Sequence, residues 1–460
     1  MKSHVAVIPF SLSIGPTAAA LNLLAEGKCS LFFESQTGKG RWSILLLKPV
    51  EWLEERAGTF LLQPGEVPLQ GDPLDWITDT RDGEYLFFPE EYRELPFLGG
   101  LAGFLGFEFG SYLDSFSVAP RRDHTPGAFV GRYEEGLIFD HHQNQWFSFA
   151  PGEQIAQELI ELLKTSSSKW KQVKGQESRL PGKSGRRLEL DPTAEQYEAR
   201  AQEGIDSIYR GEFFEVNYTE RFFGNWSGSR EMLYKELRRL APGDYGGFIA
   251  LDDVFVASIS PEQFLLIDVE GHVTTRPIKG TRPRSNEKAA DEANGKSLLE
   301  SKKDRAENVM IVDLMRNDLT RFSLPGSVQV RELCALYSYA SVHHLVSTVE
   351  SQLDPGVEPV EAFLSAFPAG SITGAPKLRS MEWIFSHEGT PRGPYTGSMF
   401  YASDHGRLDS NVLIRTATLQ GEVLSYGAGG AVVADSDPES EFTEAIWKAR
   451  PFFDLLREGE

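Results

Sequence analysis

Short apolar runs broken by turn residues mark the first third of the chain. LFFES (Leu31–Ser35) and RWSILLL (Arg41–Leu47) read as two strands joined by QTGKG, a hairpin-like turn. GRYEEGLIFDHHQNQWFSFA predicts two more, with His141 and His142 solvated at the turn between them; two adjacent histidines are weak ground for a metal. Phe97–Gly110, FLGGLAGFLGFEFG, is rich in glycine and aromatics, and tight sheet packing explains most of it more simply than a ligand does. Residues 1–163 thus form a mixed α/β region. The pattern then stops: Lys164–Asp191 is rich in Ser, Gly and Lys, nearly free of apolar periodicity, and reads as a flexible linker or long excursion.

From 192 to 460 the periodicity returns. Asp191 as N-cap and Pro192 at the first helical position predict a helix through Tyr197, Ala201, Ile205 and Ile208 to about Arg210, stopped by Gly211. EFFEVNYTERFFGNW reads as a strand. FIALDDVFVASISPEQFLLIDVEGHVTTRPIKGTRPR reads as strands separated by DD, SPE and EG turns, an antiparallel sheet with Lys279 at its end. One long charged helix is expected from Lys288 to Asn317, its apolar side supplied by Met310, Val312, Leu314 and Met315. No solenoid-type repeat occurs.

Length and charge narrow the function. A chain of 460 residues predicts two or three domains, and 40% hydrophobic with 25% charged residues is an ordinary soluble composition. A net charge of −21 argues against nonspecific binding to nucleic acid or anionic membrane. Cys29 and Cys334 form no CxxC pair, which suits a reducing cytoplasm. The N-terminus lacks a clear signal-peptide pattern, and no run of 18 apolar residues is present.

Against this acidic background one basic stretch stands out, TRPIKGTRPR (Thr275–Arg284). Pro277 and Pro283 restrict its backbone and Gly280 frees it, which predicts a strand end entering a fixed loop. Arg276, Arg282 and Arg284 should push the Lys279 pKa down and make it a nucleophile, or clamp a carboxylate; a solvated basic loop is equally compatible. Two acidic pairs, Asp304/Glu307 and Glu441/Glu444, each have i, i+3 spacing on a predicted helix. Four hard oxygen donors suit Mg²⁺, although ExxE spacing alone also describes a solvated helix face. GAGGAVVADSDPE (Gly427–Glu439) reads as a glycine-rich turn whose amides could hold an anion, and AGSITGAPK as a second anion site at a helix start opened by Pro376. Arg415, in a β-branched run, needs a partner or a cavity. His344, opening an otherwise apolar strand, reads as a satisfied structural histidine rather more than as a catalytic one.

Taken together, SPEQF, RPIKGTRPR, KDRAENVMIVDLMRNDL, VHHLVS, FPAGSITGAPK, LIRTA and GAGGAVVADSDPESEFTEAIWKA resemble the chorismate-utilising enzymes: anthranilate, aminodeoxychorismate, isochorismate and salicylate synthases. The resemblance runs in family order from Gly211 to Arg450 and more loosely through FFES and PFLGGLAGFLGFE. It implies an α+β fold, a two-sheet antiparallel β-sandwich flanked by helices with the site between the sheets. Lysine at 279, where anthranilate synthases carry alanine, points to the aminodeoxychorismate synthase branch. The place of the water-activating lysine of isochorismate synthases is taken by residues near Glu215.

By this resemblance Lys279 is the covalent nucleophile and Glu262 the general acid/base. Asp304, Glu307, Glu441 and Glu444 hold Mg²⁺. Arg415 and Tyr395 bind the enolpyruvyl carboxylate, Gly429, Gly430 and Lys448 bind the ring carboxylate, and His344 and Thr373 line the pocket. Ammonia would come from a separate glutamine amidotransferase subunit. Anthranilate synthase component I and a non-catalytic chorismate or amino-acid binding module are the alternatives. Three departures stand out: one extra residue between Glu262 and Lys279, Phe400 where glycine is usual, and APGDYGGF where the tryptophan pocket has an NPxPY-type segment. Glu34 and Ser35 do match that pocket, but the second half does not, which argues against feedback by tryptophan.

Overall fold

The computed structural model describes residues 4–24, 30–36, 40–79, 88–173, 193–339 and 342–457. Two antiparallel sheets, of eleven and twelve strands, carry the fold. The eleven-stranded sheet runs from Ala6–Phe10 at one edge, through Ser30–Glu34, Gly246–Ala250 and Thr416–Gln420, to Val423–Val433, Glu215–Asn225 and Gly374–Ala375. The twelve-stranded sheet has Ile278–Pro283 at one end and Val67–Pro68 at the other, with Ser398–Ser403 beside Gly100–Leu105 in the middle. Each sheet therefore draws strands from both 1–163 and 192–460, and the boundary divides stretches of chain rather than sheets.

Many strands are buried on both faces, which is why they read as continuous apolar runs. Successive side chains point to opposite faces. Leu31, Ile249 and Val256 enter the core shared with Phe104, Phe129 and Met399 of the other sheet. Their neighbours Phe32, Phe248 and Phe255 pack under the outer helices Pro16–Leu24, Glu153–Val173, Arg230–Leu240 and Pro438–Arg457. The glycines of 97–110 serve packing: a Cβ on Gly103 would lie 1.9 Å from the Phe129 carbonyl oxygen of the adjacent strand.

The expected hairpin between Leu31 and Leu46 is formed. Several boundaries differ. The helix Glu153–Val173 continues ten residues into the expected linker, and the remainder, with Asp191 and Pro192, lies outside the described residues. The next helix, Ala194–Tyr209, is capped by Thr193, whose side chain accepts from the Gln196 N–H while Gln196 returns a bond to the Thr193 N–H. The long charged helix is two, Lys288–Glu300 and Lys302–Thr320, because Ser301 adopts an extended conformation and its side chain caps the second. His141 is half-buried, its Nε2 2.8 Å from Ser43 Oγ. Cys334 is buried, whereas Cys29 lies outside the described residues. Among the described residues no helix is long and apolar enough to cross a membrane.

Candidate active site

Lys279 stands on a strand, Ile278–Pro283, not in a loop. That strand pairs with Val342–Gln352, and the register slips between Lys279 and Thr281. Gly280 is the extra residue of this bulge, at φ +81°. A side chain there would collide with Leu298 and Asp304, so the bulge brings the lysine strand down onto the acidic helix. The Lys279 side chain is 11% exposed and its Nζ lies 3.0 Å from Glu215 Oε1.

The flanking arginines do not act on Lys279 as the sequence suggested. Arg282 bonds Asp304 at 2.9 Å, and Arg284 bonds Asp291 at 2.8 Å. Burial works against the Lys279 ammonium, but the carboxylates of Glu215, Glu307 and Glu262 outweigh it and hold the amine above its usual range. The expected downward shift is therefore reversed, because carboxylates rather than guanidinium groups face the amine.

A cavity of about 540 Å³ opens on this lysine. Glu262 lines it fully buried, its pKa pushed up to about 7 by burial against the opposing pull of Ser371, whose Oγ donates to Oε1 at 2.7 Å, and of Lys279. A carboxyl that titrates near neutrality can serve as an acid. Arg415 sits on the wall just before the strand Thr416–Gln420, at φ +51°, in the left-handed region that costs a non-glycine residue. Burial lowers its pKa, and among the described residues no carboxylate pairs with its guanidinium. Such a group is suited to an incoming anion. Tyr395 also lines the wall, its ring so close to the backbone of Gly427 that a Cβ there would come within 2.1 Å.

The glycine-rich segment is not a turn. Gly427 to Gly430 lie inside the eleven-residue strand Val423–Val433, paired along its length with Glu215–Asn225. Gly429 accepts from Lys448 Nζ at 2.8 Å, and Gly430 lies against Glu441 and Glu444, where a Cβ would come within 3.0 and 3.4 Å. His344 is buried on the wall with Nδ1 2.9 Å from Thr281 Oγ1. Thr373 does not line the cavity: its hydroxyl donates to the carbonyls of Ala369 and Gly370, and Ser371 takes its place. Phe400 likewise does not line it; its ring packs on Phe363, centroids 4.7 Å apart. Pro376 precedes the helix Lys377–His387 as its N-cap rather than forming its first turn.

All four predicted acids border the cavity, from two helices. Lys303 spans Glu307 at 3.9 Å and Glu441 at 3.7 Å, and Lys448 bonds Glu444 at 2.7 Å. Burial raises Glu307 to about 7 and also raises Glu441, whereas Lys448 lowers Glu444. Oxygen donors crowded around protein cations fit a hard divalent ion. Asp268, Glu270 and His272 cluster more tightly, but on an exposed hairpin whose turn hydrogen bonds account for them.

Sequence reading left three groups without a role: Ser371, Lys303 and Glu215. Glu215 carried the clearest signal, an acid set in the aromatic run EFFEVNY.

Comparison with known proteins identifies the family of the chain. The profile of the chorismate binding enzyme family matches residues 29–454. Aminodeoxychorismate synthase component 1 of Salmonella typhimurium is 34% identical over 415 residues, 89% of this chain and 88% of that protein. Anthranilate synthase component 1 of Thermus thermophilus is 32% identical over 97% of this chain and 96% of its own length. The crystal structure of anthranilate synthase component I from Streptococcus pneumoniae superposes with a TM-score of 0.74 at 28% identity, covering 91% of this chain and 93% of that one.

Proposed function

Since the chain belongs to the chorismate binding enzymes, we propose that it makes 4-amino-4-deoxychorismate from chorismate and ammonia. The observation that carries this reading is an amine, Lys279, at the wall of a cavity that also presents Glu262 as a near-neutral acid and Arg415 as an arginine with no carboxylate partner.

In this reading the Lys279 amine adds to C2 of the ring while the C4–O bond breaks, and Glu262 gives its proton to the departing hydroxyl, which leaves as water. Ammonia then adds at C4 and the C2–N bond breaks, returning the lysine amine. Arg415 and Tyr395 hold the enolpyruvyl carboxylate, and Lys448 with the backbone at Gly429 and Gly430 faces the ring carboxylate. His344 buttresses the strand that carries Lys279 through Thr281. Asp304, Glu307, Glu441 and Glu444 would hold Mg²⁺, which when bound neutralises carboxylate charge in the cavity. Component-type relatives support a separate amidotransferase subunit as the source of ammonia.

The test is a product assay on chorismate and ammonium with Mg²⁺. Formation of 4-aminobenzoate only after a lyase is added supports the proposal. Anthranilate synthesis is the second reading, favoured by the Thermus relative's match to 97% of the chain. Release of pyruvate without an added lyase would decide for it.

A further inference from the structure

The proposed chemistry leaves one charge unexplained. An amine attacks carbon only as the free base, yet Lys279 rests as an ammonium ion paired to a carboxylate. That carboxylate, Glu215, has a fully buried side chain at the start of the strand Glu215–Asn225. Neighbours on both sides fix its backbone, for it pairs with Val433 on one flank and Ala375 on the other, and its carbonyl accepts from Ser380 Oγ at 2.8 Å. One carboxylate oxygen, Oε1, accepts from Lys279; the other, Oε2, is buried and has no hydrogen-bond partner among the described residues. A buried carboxylate held for stability alone would have both oxygens satisfied, because an unmet acceptor in the interior is costly. Of the other carboxylates near the amine, Glu262 bonds Ser371, Glu307 lies beside Lys303 and Glu444 bonds Lys448, while among the described residues only Glu215 is bonded to the reacting nitrogen.

We propose that Glu215 is the catalytic base of the lysine nucleophile: it takes a proton from Lys279 before attack and returns it when the lysine is expelled. The inference rests on the reading of Lys279 as nucleophile. The protons balance. Lys279 –NH₃⁺ and Glu215 –COO⁻ become –NH₂ and –COOH, and the lone pair so freed forms the N–C2 bond as C4–O breaks. The adduct nitrogen carries two hydrogens and a positive charge. When ammonia adds at C4 as C4–NH₃⁺, the C2–N pair leaves with the lysine as –NH₂. The Glu215 –COOH proton then restores –NH₃⁺, and Glu262 is reprotonated from solvent. Over one turnover Glu215 is unchanged. Its unoccupied Oε2 gives the proton a second seat while Oε1 faces the amine.

Two variants test this in the full chain with Mg²⁺ and ammonium. Glu215→Gln keeps the shape and removes the basicity. Its kcat should fall about a hundredfold or more, the usual range for losing a positioned base, with the KM for chorismate within about twofold. Glu215→Ala leaves a buried hole of carboxylate size, and added formate should restore at least about a tenth of the wild-type kcat, whereas chloride at equal ionic strength should not. Glu215→Asp should fall between wild type and Glu215→Gln. A Glu215→Gln enzyme within threefold of the wild-type kcat, or faster, overturns the proposal. So does a Glu215→Ala enzyme that binds chorismate normally and is not restored by formate. Lys279→Ala, run beside them, separates the two claims. If it still forms aminodeoxychorismate at the wild-type rate, the nucleophile reading fails. If it is inactive while Glu215→Gln is not, only the role of Glu215 fails.

Discussion

The cavity at Lys279 and one other of similar size balance their polar groups in different ways. The one at Lys279 holds about 540 Å³, and the other, walled by Glu34, Arg41, Tyr245, Met399, Tyr401 and Asp409 among others, about 430 Å³. In the second, Glu34 is answered within the protein: Tyr234 donates to it at 2.6 Å and Arg238 Nε lies 3.1 Å from one oxygen. Asn411 bridges the backbone of Met399 and Tyr245. In the first, among the described residues Arg415 has no carboxylate partner and one Glu215 oxygen is unmet, and the Glu262 pKa is raised to about 7. Volume does not separate the two. Unmet atoms alone do not either, since Gln263 Oε1 and Arg407 Nε at the second also lack partners among the described residues. Arg407, however, has Asp409 near it, while Arg415 faces no carboxylate among the described residues, and that unpaired charge is what an anionic reactant can complete.

The sharpest way to break the comparison is Lys279→Ala. It should lower formation of aminodeoxychorismate from chorismate and ammonia by at least about a thousandfold, as loss of a covalent nucleophile does, read with the lyase as coupling enzyme. A mutant near the wild-type rate would show that charge imbalance at this cavity is not aimed at catalysis.

Removal of divalent metal comes next. EDTA should abolish turnover and Mg²⁺ should restore it. The metal-free chain should also show a signature in its melting temperature. Glu262 and Glu307 stand near 7 when folded against an ordinary value of 4.5, so the folded chain binds more protons than the unfolded one across that interval. Through these two groups stability should fall as pH rises from about 4.5 to about 7, with half-buried His405, lowered to about 4, opposing part of that fall. Mg²⁺ should flatten the part of that slope owed to Glu307, by taking the place of its proton. A slope of opposite sign, or one indifferent to Mg²⁺, would disconnect the acids from the metal.

Glu262→Gln should cost about a hundredfold in kcat/KM near neutral pH. The sign of the pH profile follows from its raised pKa: the acid form is present below about 7 and is lost above it. The wild-type kcat/KM should therefore decline on the alkaline side, and the glutamine variant should lose that limb.

Much of this site was legible because its parts are local in sequence. The i, i+3 acids needed only a helix, and each pair lies on one even though the first helix broke at Ser301. What failed was long-range. TRPIKGTRPR shows three arginines beside Lys279, but Arg282 and Arg284 find Asp304 and Asp291 on the adjoining helices while the lysine finds Glu215, 64 positions away. The glycines of GAGG look like a turn until the partner strand Glu215–Asn225 is in place to pair them. Thr373 and Ser371 sit two apart in one segment, and only the folded backbone decides that the serine meets Glu262 and the threonine its own carbonyls. Sequence spacing fixes which residues share a face; a charge's partner across the sandwich sets its pKa.

The smallest effect on chemistry should come from the second cavity, and it sharpens the contrast most. Glu34→Ala removes the acceptor of Tyr234 and the partner of Arg238, leaving the buried hydroxyl's proton without an acceptor although its oxygen still accepts from Gln36 Nε2. The expected cost is about 1–3 kcal/mol of stability, read by denaturant unfolding, with kcat and the KM for chorismate unchanged within about twofold. The reasoning is that Glu34 already has its hydrogen bonds inside the protein, so its loss should be felt by the fold rather than by a reactant. A fall in kcat comparable to that of Glu262→Gln would mean that the two cavities are coupled, and that internal balance at the second is part of how the first is held open.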